Sequence, residues 1–225
     1  MKKINIAIDG PAGSGKSTTA KLVAEKLGML YLDTGAMYRA VTLMARRSQI
    51  EMSDGPKIAE HMDRSEIVLR NENGSLRVFL DGEDVTEQIR LPEISAQVSL
   101  VSSHREVRER LVRQQKKISG NGGIVMDGRD IGTVVLPHAD LKIFLVADPA
   151  VRAARRLADF QRNGILSTAA RVEEEIIKRD SFDSSRKESP LRKADDAIEV
   201  DTTTLTIDEQ VQRIVELAKR IVAKG

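Results

Sequence analysis

Gly10-Pro11-Ala12-Gly13-Ser14-Gly15-Lys16-Ser17-Thr18 decides how this chain is read. The stretch satisfies the pattern G-x-x-x-x-G-K-[ST] at every fixed position and so predicts a cradle for a nucleoside triphosphate. Its glycines let backbone N–H groups converge on phosphate oxygens, the Lys16 ammonium reaches the β- and γ-phosphates, and the Ser17 hydroxyl is offered to Mg2+. The anion would rest on a helix N-terminus. Both flanks agree with this reading. Ile4-Asn5-Ile6-Ala7-Ile8 is a β-rich run that reads as a buried first strand. Beyond the loop, Ala20, Val23, Ala24 and Leu27 recur at helical spacing, and Gly28 stands where a helix ends.

The same alternation continues outward. Met29-Leu30-Tyr31-Leu32 predicts a second strand, and Asp33-Thr34-Gly35 turns it into a helix carrying Ala36, Ala40, Val41 and Met44. Strand, helix, strand, helix argues an α/β fold with a parallel sheet flanked by helices. The period then changes. Residues 66–70 and 76–80 read as strands around Asn71-Glu72-Asn73-Gly74, with a third short strand near Asp84-Val85-Thr86, so a small antiparallel insert is expected over about 63–90. Pro92 opens a helix with Ile94, Val98 and Val101 in one row. A capping box, Ser103-His104-Arg105-Glu106, announces the next helix, with Val107, Leu111 and Ile118 inward.

Ile124-Val125-Met126 is then a buried strand ending in Asp127-Gly128-Arg129-Asp130, whose charged groups belong at the carboxyl end of a parallel sheet, where ligands bind. Asp127 follows an apolar strand as a Walker B acid does, which makes it a candidate for Mg2+ beside Ser17. After a strand over 141–146, Asp148-Pro149 opens a helix bearing Arg152, Arg155 and Arg156. A polar stretch over about 159–167, with Asn163-Gly164 inside it, reads as a short lid. Arg179, Asp183 and Arg186 follow at i, i+4, i+7 on a long helix; a last strand over 197–200 and a helix capped by Thr206-x-x-Glu209 close the chain.

Composition narrows the function. The 225 residues suffice for one main domain with an insert, divided as core segments 1–62, 91–158 and 168–225. Lys and Arg number 36 against 34 Asp and Glu, and a net charge of +2 leaves no electrostatic footprint for nucleic acid or an anionic membrane. The absence of cysteine excludes disulfides, thiolate nucleophiles and Cys-ligated zinc. No apolar run has the length of a membrane span or signal segment, so a cytoplasmic monomer acting on small molecules is expected.

A guanine-reading N-K-x-D sequence is missing, which argues against a GTPase. A kinase needs positive charge along the transferring phosphoryl and a cover against water. The arginine cluster at 152–156 beside the lid supplies both, with Arg152 and Arg156 on one helical face. The histidines are scattered, and no His–carboxylate pair marks a general base. An acceptor that is itself a phosphate fits that pattern, because its oxygen is already anionic near neutral pH.

Taken together, Gly10–Thr18, Leu32-Asp33-Thr34-Gly35-Ala36-Met37-Tyr38-Arg39, Asp127-Gly128-Arg129-Asp130-Ile131-Gly132-Thr133-Val134-Val135 and Lys178-Arg179-Asp180-x-x-Asp183-x-x-Arg186 closely resemble the bacterial cytidylate kinases. The resemblance runs along nearly the whole chain. It implies MgATP-dependent transfer of a phosphoryl group to CMP and dCMP in pyrimidine metabolism, with the insert as an enlarged monophosphate-binding region. By motif it implies that Thr34, Arg39 and Arg129 hold the monophosphate and that Ser99, Arg108, Asp130 and Arg186 read cytosine. Arg179 and Asp183 would meet the sugar, while Lys16, Arg129, Arg152 and Arg156 would act on the transferring group. Cytosine presents an N4 donor beside O2 and N3 acceptors, which an acid among arginines matches; uracil puts an acceptor at position 4, which an ionised Asp130 repels. The alternatives are a kinase of UMP, AMP or a shikimate-like acceptor, and a non-catalytic ATP-binding switch.

Overall fold

The computed structural model describes residues 3–72, 75–162 and 164–224. The chain divides into two compact units, one built from Met1–Leu30 and Gly122–Gly225, the other from Tyr31–Asn121.

The first unit is built on strand β1 (Asn5–Asp9). Ile6, Ala7 and Ile8 are fully buried, as an unbroken apolar run must be when both edges and both faces of a strand are covered. Strands β6 (Ile124–Gly128) and β7 (Leu141–Val146) pair with β1 in parallel on either side, and β8 (Ile198–Asp201) pairs in parallel with β7. Strand β2 (Leu30–Asp33) completes the five-stranded order β2-β6-β1-β7-β8, its first residue donating N–H to Gly123 O at 2.9 Å.

Helix α1 (Lys16–Leu27) starts on Gly15 and ends on Gly28, both left-handed. It packs on β6 and on the final helix α8 (Ile207–Lys224) through Thr19, Ala20, Val23 and Ala24; Leu27, expected inward, is half-buried. The predicted cap of α8 is present: Thr206 Oγ1 accepts from Glu209 N at 3.3 Å, and Glu209 Oε2 accepts from Thr206 N at 2.8 Å. Helices α6 (Pro149–Arg162) and α7 (Ala169–Ser185) pack together over Ala153, Val172 and Ile176. Asp159–Arg162, read from sequence as part of the polar hinge, continues α6, whose amphipathic face runs on through Phe160; Asn163 of the expected hinge lies outside the described residues.

The second unit holds α2 (Thr34–Arg47), α3 (Gly55–Met62), α4 (Pro92–Val101), α5 (Arg105–Ser119) and a three-stranded antiparallel sheet, β3 (Ile67–Glu72), β4 (Ser75–Leu80) and β5 (Glu83–Asp84). Asn73 and Gly74 of the expected turn lie outside the described residues. The third strand comes slightly earlier than predicted, yet pairing runs on: Val85 N donates to Val78 O at 2.9 Å, and Thr86 Oγ1 accepts from Val78 N at 3.0 Å. Helix α3 was not anticipated, although Asp54 caps it by accepting from Lys57 N at 3.0 Å.

Two local expectations fail at α5. Ser103 donates to Leu100 O at 2.7 Å, serving the carbonyls at the end of α4 so close upstream, and His104 stands at the N-cap with no side-chain capping bond. Ile118 is 38% exposed, because the inward row follows Val107, Leu111, Gln115 and Ser119 at four-residue steps.

Candidate functional site

The first unit gathers the phosphate cradle at the carboxyl end of β1. Gly10 is essential to the close packing there: at φ +154° its added Cβ would lie 2.3 Å from Leu145 O. At Gly13, φ +75°, a Cβ would press on the backbone and Cβ of Arg152 at 3.0 Å. Lys16 Nζ donates to Pro11 O at 3.1 Å, which keeps the ammonium over its own loop. Ser17 Oγ donates to Asp127 Oδ2 at 2.6 Å, joining the start of α1 to the carboxyl end of β6. Two oxygen donors this close are the type of ligand that Mg2+ takes alongside waters and phosphate oxygens, so the pair fits that ion.

Above the loop, α6 and α7 meet in a closed triangle. Arg152 Nη1 donates to Ala12 O at 3.0 Å and to Asp180 Oδ2, while Asp180 Oδ1 accepts from Ala12 N at 3.2 Å. Arg152 Nε also donates to Ala147 O at 2.9 Å, so this buried arginine is fixed at both ends of its guanidinium. Its neighbours point elsewhere: Arg155 donates to the hydroxyl and carbonyl of Thr202, and Arg156 lies 4.8 Å over the Phe160 ring.

Farther along the same end of the sheet, Arg129 Nε donates to Asp183 Oδ2 at 2.9 Å, and Arg179 Nε lies 3.9 Å from the same oxygen. Arg186 Nη2 lies 3.9 Å from Asp130 Oδ1, with both side chains buried. Burial pushes the Asp183 carboxyl up, but Arg129, Arg179 and Arg186 outweigh it and hold the group below its ordinary value. Three arginines around two acids leave an excess of positive charge on a framework whose acids fix the guanidinium positions.

The second unit carries the other predicted residues. Asp33 caps α2 by accepting from Ala36 N at 2.8 Å and also accepts from Arg39 Nη2 at 3.0 Å. Thr34 is buried at the first turn, and Arg39 Nε is a buried donor with no hydrogen-bond partner among the described residues. Arg108, 4% exposed, donates from Nη1 to Ser102 O at 3.1 Å and lies 5.5 Å over the Tyr38 ring; Ser99 is half-buried on α4, its carbonyl accepting from Ser102 Oγ at 3.0 Å.

Two residues escaped the sequence reading. Asp180 lies inside a quoted motif, one helical turn before Asp183, but only the fold brings it to the loop. Asp9 ends β1 as Asp127 nearly ends β6, and an acid closing an apolar strand was a signal in both places. Asp9 is 4% exposed and accepts from Ile131 N at 2.8 Å and from Gly132 N at 2.7 Å.

The family model described as cytidylate kinase matches residues 6–220. The chain belongs to the cytidylate kinase family. It is 50% identical over 219 residues to a cytidylate kinase of Bacillus subtilis, covering 97% of this chain and 98% of the relative. A cytidylate kinase of Caldicellulosiruptor bescii is 51% identical over 222 residues, 99% of this chain and 98% of its own. Among solved structures, an uncharacterized protein from Eubacterium ventriosum superposes with a TM-score of 0.53 at 14% identity, covering 97% of this chain and 99% of that one, a likeness of fold. As a member of the cytidylate kinase family, the chain is a nucleoside monophosphate kinase that phosphorylates CMP.

Proposed function

We propose that the chain moves the γ-phosphoryl of MgATP to CMP and dCMP, with the donor held by Gly10–Thr18 and Mg2+ taken by Ser17 and Asp127. Held there, the ion would supply charge neutralisation for the donor's phosphates. No general base is needed, since a phosphate monoester is largely dianionic near neutral pH. Positioning and electrostatic stabilisation then carry the rate. Lys16 and Arg152 act on the transferring group, the latter because it is locked to the backbone of the loop itself. Arg129 completes that set, whereas Arg156, expected there from the sequence, lies over the Phe160 ring. Arg39 holds the acceptor's phosphate with Thr34, and its unpartnered Nε supports the role. Arg179 and Asp183 take the sugar; Asp130, Arg186, Ser99 and Arg108 read the base. The segment beyond α6, over about 164–167, serves as the lid, with Leu166 exposed over 99% of its surface, and residues 63–90 as the monophosphate-binding insert.

The observation that carries this assignment is the buried Asp130–Arg186 pair beside the Asp183–Arg129 pair. An ionised acid next to a guanidinium supplies the acceptor and donors that cytosine requires and that uracil opposes. Asp130→Ala is therefore expected to lose kcat/KM for CMP by about 100-fold or more. A panel of CMP, dCMP, UMP, AMP and shikimate with MgATP checks it; unchanged CMP kinetics would remove Asp130 from base recognition.

A further inference from the structure

Asp130 is followed directly by a short π-helical turn, Ile131–Val135. Such turns are rare and cluster at functional sites. The turn closes on itself downstream, Val134 N donating to Asp130 O at 2.9 Å and Leu136 N to Ile131 O at 2.7 Å. Its first N–H groups have no acceptor within the turn, the ordinary condition of a helix start. Asp130, in the N-cap position, makes no side-chain capping bond. Its carboxylate faces Arg186, Oδ1 lying 3.9 Å from Nη2. The acceptors come instead from Asp9, more than a hundred residues away, one carboxylate oxygen to each amide.

Two further observations mark this contact as built. The carboxylate is seated against the turn itself: a Cβ at Gly132 would stand 3.4 Å from Asp9 Oδ2, in ordinary contact. Burial, only partly offset by the two amide bonds, pushes the Asp9 carboxyl up to about 7, so the protein bears a cost for an acid at this place.

We infer that Asp9 is a positioning residue for base selection: its carboxylate, bound to the Ile131 and Gly132 amides, sets the direction in which the neighbouring Asp130 carboxylate faces the nucleotide base. Asp9 also immediately precedes Gly10, so the strand that carries the donor cradle anchors the base-reading turn as well. The inference rests on Asp130 reading cytosine.

The test compares Asp9→Asn, Asp9→Ser, Asp9→Glu and Asp130→Ala in the full chain. The readouts are Kd for CMP and for UMP, with kcat and KM for CMP and KM for ATP. Asparagine offers one acceptor oxygen and turns an NH2 toward the second amide. Asp9→Asn should therefore lower the preference for CMP over UMP about tenfold, the worth of one charge-assisted bond, with KM for ATP nearly unchanged. Asp9→Ser, which keeps a single, shorter acceptor in less volume, should shift the preference in the same direction, and Asp9→Glu, with both acceptors kept, should recover part of it. If Asp9→Asn does not fold, Asp9→Ser decides. A parental preference in Asp9→Ser and Asp9→Asn while Asp130→Ala collapses it overturns the inference. Loss of affinity for CMP, UMP and ATP alike overturns it too, as that is the mark of a merely structural group. A parental preference in Asp130→Ala removes the reading of Asp130 itself.

Discussion

Arg152 is a single side chain made ready in advance. Its guanidinium donates to Ala147 O and Ala12 O and meets Asp180, which in turn accepts from the Ala12 amide. Fixing a long arginine before the reaction saves the rotamer entropy it would otherwise lose on engaging phosphate. Asp180→Ala is accordingly expected to lower kcat for CMP about tenfold, while the same change on an Arg152→Ala background should cost much less, since the two side chains act as one unit. Steady-state kinetics of the two single variants and the double variant check this. The sequence made Arg152 a candidate because three arginines crowd one turn. Helical spacing set Arg152 and Arg156 on one face and so passed over Arg155, but it gave no ground for choosing between those two, which differ in what the fold sets opposite: the loop backbone for one, Phe160 for the other.

Elements were legible where one strong local signal stood alone. The Thr206-x-x-Glu209 box was predicted and is present in reciprocal form, whereas the Ser103 box was predicted and is absent because α4 ends too close upstream and draws the serine to its own last turn. Local pattern names a residue able to cap; it does not know which helix end competes for it. Helix α3 was overlooked despite its Asp54 cap, since eight residues hold too few periodic positions to stand out. The third strand was placed slightly late because pairing continues through the Thr86 hydroxyl after regular geometry stops. Thr206→Ala should cost about 1 kcal/mol, the usual worth of an N-cap. For a chain of this size that is a fall in Tm of about 2–4 °C, read by calorimetry, with kcat for CMP unaltered.

Across the whole molecule, two buried acids shifted in opposite directions leave their mark on stability against pH. Asp9 is raised from 3.8 to about 7, so between those values the folded chain binds a proton that the unfolded chain has lost. The stability this confers is fully present below pH 3.8 and is lost as pH rises through about 7. Asp183 is lowered, so its contribution is present above its unfolded value and is lost only as pH falls through its folded one. Urea unfolding should thus show a decline in stability from about pH 4 to pH 7 that Asp9→Asn flattens. The α/β class, the central parallel sheet and the small antiparallel insert were all readable from hydrophobic period, since each period admits one way of burying its apolar face. Asp9 was not, because its partners depend on strand pairing over more than a hundred residues. That distance has a consequence during synthesis. Strand β1 is hydrogen-bonded on both sides by β6 and β7, which begin at Ile124 and Leu141, so once synthesised it must wait for neighbours made much later, while the intervening residues, Tyr31–Asn121, already hold every strand of their own small sheet. Vectorial translation therefore favours the middle of the chain maturing before the beginning.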